Sequence, residues 1–132
     1  MLQITQLHHV AIITNHYQKA KNFYCNVLGF KLDKEVYRED RKSYKADLSL
    51  NGKYLIELFT FENAPPRVTQ PEAAGLRHIA FAVKDLNKCI ETLKDKNIPS
   101  EPIRTDEYTN KRFTFITDPD NLPIELYEEV GV

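Results

Sequence analysis

Leu7-His8-His9-Val10-Ala11-Ile12 and Leu76-Arg77-His78-Ile79-Ala80-Phe81 are one pattern written twice, 69 residues apart. Further along, Ile56-Glu57-Leu58-Phe59 is matched by Ile124-Glu125-Leu126-Tyr127 at an offset of 68. Two matches of segment type and polar residue at nearly one offset indicate an internal duplication. Each half then carries one His and one Glu, 48 residues apart in the first and 47 in the second.

The segments between these anchors repeat in the same order. Leu7 to Thr14 is apolar and β-branched, which predicts a strand. Asn15 is a candidate cap for a helix whose apolar face is Ala20, Phe23, Tyr24, Val27 and Leu28, with Gly29 at its end. Strands are expected over Phe30 to Tyr37, Ser43 to Leu50 and Tyr54 to Phe61, with Asn51-Gly52 as a hairpin turn between the last two. Glu62 to Ala74 holds three prolines and reads as a linker. Leu76 to Val83 starts the second copy. Asp85 caps a helix with Leu86, Cys89, Ile90 and Leu93 inward, and Pro99 lies beyond its end. Extended pieces follow near Ser100 to Arg104, Arg112 to Thr117 and Pro123 to Glu128, the last two split by Asp118-Pro119-Asp120-Asn121. The expected fold is α+β: one domain over 1–132 made of two β-α-β-β-β modules, about 6–62 and 75–129, joined by a linker at about 63–74. Their curved sheets are expected to surround a cleft.

Composition removes several classes of function. The chain has 132 residues, 42% hydrophobic and 28% charged, in the range of a single globular core and outside that of a disordered chain. Its longest apolar run is five residues, Ile79 to Val83, too short to span a bilayer. A net charge of −1 lacks the basic footprint of a duplex-binding protein. The N-terminus shows no secretory pattern, and Cys25 and Cys89 fall on apolar helix positions, so a reduced cytoplasm is expected.

Strand alternation explains why the repeated His and Glu matter. His9 shares a face with Ala11 and Ile13, and His78 with Ala80 and Ala82; Glu57 lies with Leu55 and Phe59, and Glu125 with Tyr127. Each amphipathic helix is expected to cover the opposite face. A carboxylate in the middle of an apolar strand is costly to bury without a partner. Here that cost recurs at equivalent places, each time with a His. Two imidazoles and two carboxylates can ligate one divalent metal, leaving two octahedral positions for water or substrate, and mixed N/O donors suit Zn, Ni, Fe, Co or Mn. His8 points to the other face, where Arg77 is its counterpart, and is read as at most a support for the site. His16 is expected at the helix start, in solvent.

Taken together, these motifs resemble the vicinal-oxygen-chelate superfamily, and within it the metal-dependent glyoxalase I (lactoylglutathione lyase) branch. The resemblance runs from about Gln6 to Glu129 and also rests on Phe23-Tyr24-Cys25-Asn26-Val27-Leu28-Gly29-Phe30 and Asp118-Pro119-Asp120-Asn121-Leu122-Pro123-Ile124-Glu125-Leu126. It implies metal ligands at His9, Glu57, His78 and Glu125. It further implies Glu125 as the catalytic acid/base, aided by Glu57, and a small-molecule substrate chelated through two vicinal oxygens and carried through an enediolate. At two places the chain departs from that branch: the glutathione-contacting Arg is replaced by Ile13, and the Asn four residues after the first Glu by Phe61. Other chemistries of the superfamily are thiol transfer to epoxide antibiotics, extradiol ring cleavage, epimerisation and metal-free drug binding. A homodimer is also implied.

A second cluster is expected to read the substrate. Tyr108, Lys111 and Arg112 lie just before a strand, Arg38 ends an early strand, and Phe59 shares the face of Glu57. Arg112 or Arg38 is positioned to clamp a carboxylate or phosphate.

Overall fold

The computed structural model describes residues Met1 to Val130. The chain divides into two compact units, the first ending at Pro66 and the second beginning at Arg67. In the first, β1 (Val10–Ile13) is followed by α1 (Tyr17–Asn22), β2 (Lys31–Arg38), β3 (Ser43–Leu50) and β4 (Lys53–Phe59). In the second, β5 (Ile79–Val83) is followed by α2 (Leu86–Asp95), β6 (Arg104–Thr105), β7 (Arg112–Thr117) and β8 (Pro123–Glu128). The sheets have the orders β1-β4-β3-β2 and β5-β8-β7-β6, and in each the first strand runs parallel to the last. This is the expected α+β fold with two β-α-β-β-β modules. No helix among the described residues is long and apolar enough to cross a membrane.

Alternation sorts the side chains of each sheet as the sequence requires. Ile56 and Leu58 of β4, and Ile124 and Leu126 of β8, are buried, while Glu57 and Glu125 between them are half-buried. Ile12, Ala46 and Leu48 join the first core with Ala20, Phe23 and Tyr24. The Tyr17 hydroxyl bonds Glu35 of β2, Lys21 Nζ reaches the same carboxylate at 2.7 Å, and the Tyr17 ring stacks on Tyr44 of β3. The Lys21 and Tyr17 hydrogen bonds hold Glu35 below the ordinary carboxylate pKa.

The turns follow from local chemistry. Asn51 (φ 52°) and Gly52 (φ 80°) both take left-handed conformations in the β3–β4 turn, as an Asn-Gly hairpin turn requires. Asp118 accepts from the backbone N–H groups of Asp120 (2.8 Å) and Leu122 (2.9 Å), fixing the entry to β8. Asp85 caps α2 through Lys88 N, and Glu128 receives the Leu86 N–H at 2.9 Å.

Several boundaries differ from expectation: β1 begins at Val10 and β5 at Ile79, so His9 and His78 precede the strands expected to carry them. The first helix widens to a π-helical turn over Phe23–Val27, closed by Leu28 N to Phe23 O at 3.0 Å. Its cap position falls on exposed His16, whose backbone N–H bonds Thr14 Oγ1, whereas the Asn15 side chain bonds Ala64 O. The extended piece expected near Ser100 to Arg104 is reduced to the two-residue β6.

Candidate metal centre

In the first unit His9 ends the approach to β1, and Glu57 is centred on the adjacent β4, opposite Ala11. His9 Nε2 lies 3.6 Å from Glu57 Oε1. In the second unit His78 immediately precedes β5, Glu125 lies opposite Ala80 on β8, and His78 Nε2 is 3.7 Å from Glu125 Oε1. Two such donors sharing one ion, each about 2.1 Å from it, stand about 3.0–3.5 Å apart. Each pair therefore needs only a small contraction for its own two donors to meet one ion. Each carboxylate side chain is 16% exposed, so its cost of desolvation is partial and its outer oxygen is reachable. Among the described residues no group of three or more His, Cys, Asp or Glu is poised around one point. Each unit holds one His–Glu pair.

The surroundings of the two pairs differ. In the first unit Tyr54 OH donates to Glu57 Oε2 (3.1 Å), and Lys45 Nζ lies 3.2 Å from the same oxygen and 2.9 Å from Asp47. Oε2 is thereby committed, and Oε1 faces His9. The His9 ring stacks on Tyr54, with centroids 5.1 Å apart, and His8 Nδ1 shares a hydrogen bond with His9 Nδ1 at 2.8 Å. This leaves Nε2 as the ring nitrogen turned to Glu57. Orientation of a ligating imidazole through its other nitrogen is the usual office of an outer partner. Burial and the bond to Glu57 push the Tyr54 phenol up, so it remains a donor at neutral pH. The Asp47 bond, with that to Glu57, raises the Lys45 ammonium against the opposing effect of burial.

Period-2 reading hides Tyr54, because it lies three positions before Glu57, an odd offset. A register shift between Leu48 and Ser49 of β3 leaves Leu55 of β4 without a partner, a bulge that turns Tyr54 to the Glu57 side. Asp47, directly opposite Glu57, was recoverable only from the cross-strand register. Replacing Tyr54 with Phe is expected to weaken divalent-metal binding by about 10–100-fold with little change in melting temperature. Calorimetric titration with Zn checks this, and unchanged affinity would remove Tyr54 from the site.

In the second unit Phe115 takes the place opposite Glu125 and meets the edge of the His78 ring at 5.2 Å. No hydroxyl or ammonium is bonded to Glu125 among the described residues. Arg77 Nη1 lies 3.4 Å from His78 Nδ1 while its guanidinium pairs with Glu72 at 2.8 Å.

The residues expected to read substrate are placed as follows. Arg112 is committed to Glu128 by two bonds, at 3.0 and 2.9 Å, which hold that carboxyl low and the guanidinium high in pKa. Lys111 pairs with Glu129 at 2.8 Å, and Tyr108 is 89% exposed. These three are not brought beside the His–Glu pair of their unit. Arg38 bonds Ser43 at 2.7 Å and lies over the Phe59 ring at 4.9 Å, so Arg38 and Phe59 do share a surface in the first unit.

Comparison with known proteins agrees with the fold. The model of the Glyoxalase/Bleomycin resistance protein/Dioxygenase superfamily matches residues 6–126. The chain is 58% identical over 126 residues to the uncharacterized protein YwkD of Bacillus subtilis (strain 168), covering 96% of this chain and 98% of that one. It is 44% identical to the glyoxalase family protein from Enterococcus faecalis, whose crystal structure superposes with a TM-score of 0.86, covering 93% of this chain and 97% of that one. A glyoxalase I mutant from Zea mays shares the fold at a TM-score of 0.81 and 19% identity, covering 95% of this chain and 46% of that one. The chain belongs to the Glyoxalase/Bleomycin resistance protein/Dioxygenase superfamily.

Proposed function

We propose that the chain is a metal-dependent lyase or isomerase of the glyoxalase I type, acting on a small substrate with two vicinal oxygens. His9, Glu57, His78 and Glu125 hold one divalent ion in this reading, with Zn, Ni, Fe, Co or Mn all compatible with two nitrogens and two oxygens. The observation that carries it is the recurrence of the same His–Glu spacing, 3.6 and 3.7 Å, in two units that share topology but not surroundings. Such an ion supplies Lewis-acid stabilisation of charge on the substrate oxygens.

The unequal tethering of the carboxylates supports different roles for them. Glu57, held through Oε2 by Tyr54 and Lys45, stays in place as an anchor and steadies the reacting end of the substrate. Glu125, flanked by Phe115, is free to pivot. It takes a proton from the carbon beside the substrate carbonyl and returns it to the neighbouring carbon. Ile13 and Phe61 present apolar, exposed groups where a glutathione peptide would need polar ones, which favours a substrate without that peptide. The working form is a cytoplasmic homodimer.

The test is metal analysis of protein purified without chelator, then turnover of α-oxoaldehyde thiol adducts, epoxides and catechols. One divalent ion per chain with metal-dependent turnover of an oxoaldehyde adduct is the expected result. Protein that takes up no added divalent ion, yet binds an apolar drug, would instead fit a sequestering module.

A further inference from the structure

The second unit contains a cavity of about 560 Å³, a volume suited to a small ligand. His78 is on its wall, so the cavity reaches the proposed donor pair. Three guanidinium groups also line it, those of Arg67, Arg77 and Arg104. Two are already spent. Arg67 bonds Thr69 Oγ1 and the carbonyls of Leu76 and Arg77, tying the linker to the approach to β5. Arg77 is paired with Glu72.

Arg104 is different. Its guanidinium lies over the rings of Phe113 (5.0 Å) and Phe115 (5.8 Å), and Phe115 is the residue opposite Glu125. Cation–π attraction to two mutually perpendicular rings holds the guanidinium beside them without using its N–H donors. Among the described residues it makes no hydrogen bond, and its one acidic neighbour, Glu101, is 3.7 Å away with both side chains more than half exposed. An ion pair so exposed is worth little and yields to a better acceptor. A guanidinium held against aromatic rings with its N–H donors unspent is a ready fork for an oxyanion. Ser100 and Thr117 also line the cavity.

We propose that Arg104 is a specificity-determining residue that binds a carboxylate or phosphoryl group of the substrate in this cavity, so that the substrate class is anionic. Calling the ligand a substrate rests on the proposed metal site, but binding of the anion does not. The second unit thus supplies an apolar platform of Phe113 and Phe115 with one cation at its edge, where the first supplies Lys45, Asp47 and Tyr54.

The experiment is NMR titration of isotopically labelled full-length protein, kept metal-free with chelator, with inorganic phosphate and separately with acetate. The Arg104 Nε–Hε signal and the amides of residues 100–104 and 113–117 are expected to shift saturably with at least one probe. The tighter probe identifies the group. Arg104→Gln should weaken that binding by about tenfold or more, Arg104→Lys should restore part of it, and Lys88→Ala, on the exposed face of α2, should leave it unchanged. Folding is checked by the unperturbed remainder of each spectrum. Absence of a saturable shift with both probes, or equal binding by Arg104→Gln, would overturn the proposal. A separate Zn titration decides the metal site, so either reading can fail without the other.

Discussion

Glu125→Gln is expected to lower kcat by about 10²–10⁴-fold on whichever oxoaldehyde adduct the native protein turns over. Metal affinity should fall by no more than about tenfold, because the amide keeps an oxygen donor of nearly the same shape. The amide cannot accept a proton at neutral pH, so the loss belongs to the chemical step. Its neighbours make this a clean substitution: β8 carries Glu125 between buried Ile124 and Leu126, and no hydroxyl or ammonium bonded to its side chain among the described residues would be left unpaired. Glu57→Gln should behave in the opposite way. Tyr54 and Lys45 are both arranged for an anionic Oε2, so the amide disturbs the anchor and metal affinity suffers more than it does for Glu125→Gln. Turnover unchanged in Glu125→Gln would exclude it as the base.

The second large effect concerns the histidines. His9→Ala and His78→Ala are each expected to reduce metal affinity by more than about a hundredfold, since even loss of an outer partner commonly costs 10–100-fold. Neither ring is deeply buried, with side chains 35% and 26% exposed, so the fold should survive both changes. The informative feature is that the two variants act alike, although His9 lies in one unit and His78 in the other. A core substitution gives the contrast. Ile124→Ala, at a fully buried position, is expected to cost about 2–5 kcal/mol of stability without a specific effect on metal stoichiometry.

Much of the fold was legible because duplication writes each signal twice. His9 with His78 and Glu57 with Glu125 could be paired from offsets alone, and β-alternation then turned each Glu away from the buried Ile and Leu beside it. The Asn51-Gly52 turn was equally readable, since few residues tolerate two left-handed conformations in succession. Other parts depend on cross-strand register, which a single sequence does not display. Asp47 and Phe115 flank the two carboxylates only because β3 and β7 pair as they do. Tyr54 needed a bulge to reach Glu57. Arg112 and Lys111 looked like free cations in sequence, yet the β7–β8 hairpin sets Glu128 and Glu129 close enough to pair with them. Arg104 carries no sequence signal, because β6 is only two residues long and nothing local marks its contact with Phe113 and Phe115.

Calorimetric titration of chelator-stripped protein with Zn, for the native chain and for His9→Ala and His78→Ala, examines the sharing of one ion most directly. One ion per chain in the native protein, lost on either substitution, is the predicted result. Two ions per chain, or a full equivalent still bound with unchanged affinity after either histidine is removed, would contradict it.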